Sequence, residues 1–213
     1  MRTEDLIESL AADTRAVSPH ALEQRMLLGL LLGGAAALAV MALWMGFRPD
    51  LPQAMMTTSF VMKWTYTLSL GVFALVATLQ AARPDAPKLR LAWLIVVPFV
   101  LLAMVSAVEL IDTPVDRWMP MWLGHSWRDC SARVAVLSLP VFGGLLWAFR
   151  SLAPTRLRAA GAAAGLVSGA GAATVYGLHC PEVSATFVLT WYTLGMLIAA
   201  GAGALLGPRL LRW

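Results

Sequence analysis

Six apolar runs, each near the roughly 20 residues that a helix needs to cross about 30 Å of hydrocarbon, constrain this chain more than any other feature. They cover residues 26–46, 60–82, 91–111, 131–149, 159–178 and 186–206. Their length and their lack of dyad alternation predict helices and exclude barrel strands. Charged residues make up 13% of the chain, against about 25% in a soluble domain, and 59% is apolar. A soluble fold of this size could not cover itself with so little polar surface. The fold class expected is all-α, an integral membrane bundle of six transmembrane helices.

Orientation follows from the basic residues, which sit in the connections. Eleven fall on one side: Arg2, Arg15, Arg25, Arg83, Lys88, Arg90, Arg150, Arg156, Arg158, Arg209 and Arg212. Five fall on the other: Arg48, Lys63, Arg117, Arg128 and Arg133. The positive-inside rule puts both termini in the cytoplasm. Tryptophans flank the runs as interface anchors should, Trp44, Trp64, Trp118, Trp122, Trp127 and Trp191 outside and Trp93, Trp147 and Trp213 inside. The net charge of +4 is thus an orientation signal, and no direct contact with nucleic acid is expected. The parts are then a cytoplasmic tail over 1–25, a membrane domain over 26–206 and a short cytoplasmic tail over 207–213. No cleavable leader is expected, because the first 25 residues carry five acids and three arginines ahead of any apolar run.

The amino-terminal tail has a pattern of its own. Thr3 can cap a helix whose first turn carries Glu4 and Asp5. Leu6, Ile7 and Leu10 share a face, with Ala11 beside them, and Ser18-Pro19 looks like a second helix start running into the first span. Its net acidity argues against anionic lipid and fits a groove on a basic cytoplasmic protein. The plain alternative is a solvated tail.

Inside the bilayer, Gly161, Gly165, Gly169, Ala173 and Gly177 recur every four residues, a stripe that lets helix backbones approach. Pro98 and Pro140 are expected to kink the third and fourth helices. Lys63 and Glu109 lie near the outer ends of the second and third helices, where they can snorkel or form a structural pair with each other, and Arg133 reads the same way. No G-x-S-x-G, H-E-x-x-H, phosphate loop or C-x-x-C occurs, so neither an enzyme nor a cofactor is expected.

The two cysteines carry more. Cys130 opens the fourth helix and Cys180 closes the fifth, so antiparallel helices bring both thiols to the outer boundary. His125 and His179 stand near them as auxiliary ligands. Such thiols can form a disulfide in an oxidising compartment or ligate soft metals; otherwise they are packing residues and the histidines interfacial ones. The outer connection 112–129 is aromatic and Met-rich, Trp118-Met119-Pro120-Met121-Trp122, and should lie in the headgroup layer over Cys130.

These features together resemble the NrsF family, proteobacterial membrane anti-sigma factors that restrain an extracytoplasmic-function (ECF) sigma factor. The resemblance rests on six spans, the Asp5-Leu6-Ile7…Leu10-Ala11 segment, Cys130 and the run Gly177-Leu178-His179-Cys180-Pro181-Glu182. It implies that the tail holds the sigma factor and that Cys130 and Cys180 face the periplasm as sensors of stress such as heavy metals or oxidation. A small transporter or exporter is the alternative, and a membrane thiol oxidoreductase a further one. A transporter should show broken helices and buried midplane charge, and an oxidoreductase a closely spaced cysteine pair. The oligomeric state stays open.

Overall fold

The computed structural model describes residues 21–82, 92–149 and 156–212, together with Thr3, Glu4 and Glu8, which are helical. The tail residues Asp5, Leu6, Ile7, Leu10 and Ala11 and the Ser18-Pro19 start lie outside the described residues. Among the described residues six helices are long and apolar enough to cross a membrane. The first span is Ala21–Trp44, the second Thr58–Ala82, and the third Val96–Asp112, entered through a 3-10 turn at Ala92–Ile95. The fourth is Trp127–Phe149 and the fifth Leu157–Tyr176. The sixth runs from Ala185–Phe187 through a π-helical turn, Val188–Tyr192, into Thr193–Leu210. Its helix passes Pro208 and ends at Leu210, beyond the apolar run.

Packing follows the placement of small residues. The fifth span, built from Gly and Ala, is buried on most of its surface and touches the first, second, fourth and sixth. Its stripe meets the sixth span backbone to backbone: Gly161 at Gly203 and Gly207, Gly165 at Ala199 and Ala200, Gly169 at Met196. Van der Waals contact of this kind is what associates helices in lipid, where no hydrophobic drive exists between them. The first span buries one narrow face, Met26, Gly29, Gly33, Ala37 and Met41, and packs chiefly on the fourth. There Gly29 meets Gly144, and Gly33 meets Pro140 and Val141. The third span is peripheral and buries only Pro98, Leu102 and Ser106.

The core divides by depth. One cluster, at the end where the first, third and fifth connections gather, holds both cysteines with Tyr176, Tyr192, Phe187 and Met196. The other, toward the opposite end, centres on Leu145, Phe149, Ala160 and Ala164.

Candidate functional site

The connection between the fifth and sixth spans, residues 177–184, organises the cysteine end. Its polar atoms are met by groups from the first connection, the second and third spans and the head of the fourth. The Lys63 ammonium, 1% exposed, donates to the Glu182 carbonyl at 2.6 Å and the Cys180 carbonyl at 3.1 Å. Arg48 Nη1 reaches the same Cys180 carbonyl at 3.4 Å, and the Arg48 backbone N–H donates to the Leu178 carbonyl. Two cations thus converge on carbonyls just past a helix C-terminus, where positive charge is favoured. Arg48 also grips Asp50 through two 2.7 Å bonds, which hold the Asp50 carboxyl below the usual carboxylate range.

Two carboxylates cap two helix starts. Glu182 Oε1 accepts from the His125 and Ser126 N–H groups, at 2.7 and 3.1 Å, and from Ser126 Oγ, at the head of the fourth span. Glu109 Oε2 accepts from the Thr186 N–H, Thr186 Oγ1 and Ser184 Oγ, each at 2.9 Å, at the head of the sixth. Such positions leave backbone N–H groups without intrahelical partners and present the positive end of the dipole. Gly124 turns the chain into the fourth span at φ +56°, and a Cβ there would strike the Glu182 carboxylate, so glycine is required twice over.

Lys63 and Glu109 therefore do not pair with each other. Each finds its partners in the fifth connection, which supplies carbonyls to the cation and helix-start donors to the anion. Arg133 contacts Asp129 at 3.1 Å and His179 Nε2 at 3.3 Å.

Beneath this connection lie the thiols. Cys130 and Cys180 are both free and fully buried, in one cluster, with Ser126 Oγ 3.9 Å from the Cys180 sulfur. The histidines point elsewhere. His179 Nδ1 lies 3.0 Å from the Gly46 carbonyl, which only accepts, while the guanidinium at Nε2 only donates. The ring is therefore the neutral Nδ1–H tautomer with both nitrogens engaged. The His125 side chain is wholly exposed, its Nδ1 4.0 Å from Glu182 Oε1. Among the described residues no group of three or more His, Cys, Asp or Glu could hold a metal ion.

What sequence reasoning missed are Tyr176 and Tyr192. Both are fully buried in the thiol cluster, Tyr176 beside Cys130 and Ser126 and Tyr192 beside Cys180. Tyr192 closes the π-helical turn, whose Trp191 carbonyl accepts from Ser131 Oγ at 2.8 Å. Turns of this kind concentrate at functional sites. Over the cluster lies the short helix Val115–Leu123, joined to the sixth span by reciprocal bonds, Trp191 Nε1 to the Trp122 carbonyl and Trp122 Nε1 to Thr190 Oγ1. The site so built is a sealed pair of thiols under a strapped connection.

Residues 10–213 match the family described as NrsF, negative regulator of sigma F. The chain is 43% identical over 215 residues to the anti-sigma-F factor NrsF of Caulobacter vibrioides, with all of both chains covered. It is 41% identical over 214 residues to a probable anti-sigma-F factor NrsF of Azospira oryzae, again over the whole of each. No solved structure matches.

Proposed function

The chain belongs to the NrsF family of negative regulators of sigma F, regulators and not enzymes, and from that premise we propose how this one holds and releases its sigma factor. The tail over 1–25 sequesters an ECF sigma factor in the cytoplasm through Asp5, Leu6, Ile7, Leu10 and Ala11. Cys130 and Cys180 face the periplasm and react with or ligate the stress agent. The eleven basic residues on the tail side support that orientation.

One observation carries the link between the two ends. The fourth span bears Cys130 at its outer end and, further along, presses Gly144 and Val141 on Gly29 and Gly33 of the first span. The first span is the direct continuation of the tail. A displacement of the fourth span at Cys130 is transmitted by a packed backbone contact, which has no compressible side chain to absorb it. A stimulus shifts the equilibrium only by its differential interaction with the two arrangements. The buried free thiols supply that difference, since they can be ligated or oxidised only if the strapped connection above them moves.

The test is release of the sigma factor from membranes of cells given cadmium. Cys130→Ser with Cys180→Ser should keep the sigma factor bound before and after exposure. Normal release from that double variant sinks the cysteine reading while leaving the tail in place.

A further inference from the structure

We propose that the helix Val115–Leu123 is docked on lipid: its apolar stripe, Val115, Trp118, Met119 and Trp122, is seated among the acyl chains of the leaflet at the cysteine end, and there it holds a set of indoles closed over the thiol cluster. The thiols enter only as probes of access, whatever their own role.

The helix is amphipathic, yet its apolar stripe faces away from the protein. None of its residues is buried, and the positions at i, i+3, i+4 and i+7 are exposed throughout, Val115 at 73% and Met119 at 61%. The protein takes the helix on another side, through Met121, whose sulfur lies 3.8 Å from Thr113 Oγ1, and through the Trp122 and Trp191 bonds. Just ahead of the helix, Val108 and Ile111 of the third span are exposed too. The stripe therefore extends a surface whose solvent is hydrocarbon.

Depth follows from the hydrogen bonds. A tryptophan at a membrane boundary ordinarily keeps its ring at headgroup level, where the N–H finds a polar partner. Here the protein supplies those partners. Trp118 Nε1 donates to the Leu110 and Thr113 carbonyls at 3.0 and 2.9 Å, and Trp122 Nε1 to Thr190 Oγ1. The Trp118 bonds also cap carbonyls at the end of the third span, and the Arg117 N–H satisfies the Pro114 carbonyl. Backbone so satisfied can enter hydrocarbon. The rings thus lie below the headgroup layer in which sequence alone places this connection. Asp116 and Arg117, the only charged residues of the helix, lie off the stripe and carry opposite signs, so acyl chains and not headgroup charge hold it. Trp122 packs on Trp191 at 5.6 Å, and Trp191 on Trp127 at 5.4 Å. Trp127 and Trp191 pack in turn on the cluster that holds Cys130 and Cys180. A helix seated in the leaflet keeps this cluster closed, and one that leaves it opens the way in.

The experiment uses the full-length protein, one chain per lipid nanodisc. A nitroxide is attached to Met119→Cys, or to His125→Cys as the aqueous reference, in a background carrying Cys130→Ser and Cys180→Ser. At Met119, relaxation by oxygen, which concentrates among acyl chains, should exceed relaxation by a water-soluble nickel chelate several-fold, and at His125 the order should reverse. An aqueous reading at Met119 overturns the proposal. So does shielding that needs two chains in the disc, because a second copy is then the occupant, and so does shielding confined to anionic lipid, because headgroup charge then holds the helix. With both native cysteines in place, Val115→Asp with Met119→Asp should speed alkylation of the buried thiols by N-ethylmaleimide about tenfold. Asp116→Asn with Arg117→Gln, on the other face, should leave the rate within about twofold of wild type. A rate unchanged in the first variant, or raised equally in both, overturns the proposal as well.

Discussion

Gly29 and Gly144 lie backbone on backbone, and a Cβ built on either would collide with the carbonyl of the other. Gly143, beside Gly144, and Gly34, beside Gly33 on the first span, face open space. Gly29→Ala or Gly144→Ala should destabilise the bundle by about 1–3 kcal/mol, as overpacking does. Gly34→Ala and Gly143→Ala should leave it unchanged. Thermal unfolding in nanodiscs separates the pairs. If the first two variants melt with the second two, the tight contact is not there. In cells, Gly144→Ala should retain the sigma factor and lose cadmium-induced release.

The carboxylate caps make a second prediction. Glu109→Ala and Glu182→Ala each remove a charged acceptor of three hydrogen bonds at a helix start. Each should cost about 1.5–3 kcal/mol. Since the third span buries so little else, Glu109→Ala should also free it from the bundle. A cysteine pair introduced at Leu102 and Tyr66, one from each side of the second and third spans, should then crosslink more slowly than in the parent. Unchanged crosslinking and melting would remove Glu109 as the anchor.

For the tail, Leu6→Ala with Leu10→Ala should weaken sigma binding at least about tenfold, since burial of each side chain contributes about 1.5–3 kcal/mol. Membrane insertion should be unaffected. The readout is co-purification of the sigma factor from solubilised membranes. Wild-type recovery by the double variant would take these residues out of the interface.

The orientation is tested by single cysteines at Pro87 and Thr155 in a background lacking Cys130 and Cys180. Both should resist a membrane-impermeant thiol reagent in intact cells and react after lysis. Labelling before lysis at either position reverses the assignment.

The six spans were legible because the length and apolarity of a crossing segment answer to the bilayer alone. The Gly161, Gly165 and Gly169 stripe was legible for a similar reason, its spacing being a property of one helix. The contact of Gly29 and Gly33 with the fourth span was not, since Gly33-Gly34 and Gly143-Gly144 are pairs and spacing does not say which member faces inward. Lys63 and Glu109 looked like partners because their charges are opposite and their depths alike. Their actual partners are backbone groups and hydroxyls more than seventy residues downstream, which carry no charge to read. Tyr176 and Tyr192 were hidden in apolar runs, where an aromatic ring reads as filling. Only their place beside the two thiols marks them.

The strapped connection also sets an order of biogenesis. A chain emerges from its amino terminus, so Lys63, Glu109 and the head of the fourth span are all made before residues 178–186, which satisfy them. Until the fifth connection is made, a nascent chain holds a cation and a carboxylate at one end of its spans without their final partners. Its completion closes all of these bonds together. A chain cut short before the sixth span keeps Lys63 and Glu109 without the carbonyls and helix-start donors that satisfy them in the finished bundle.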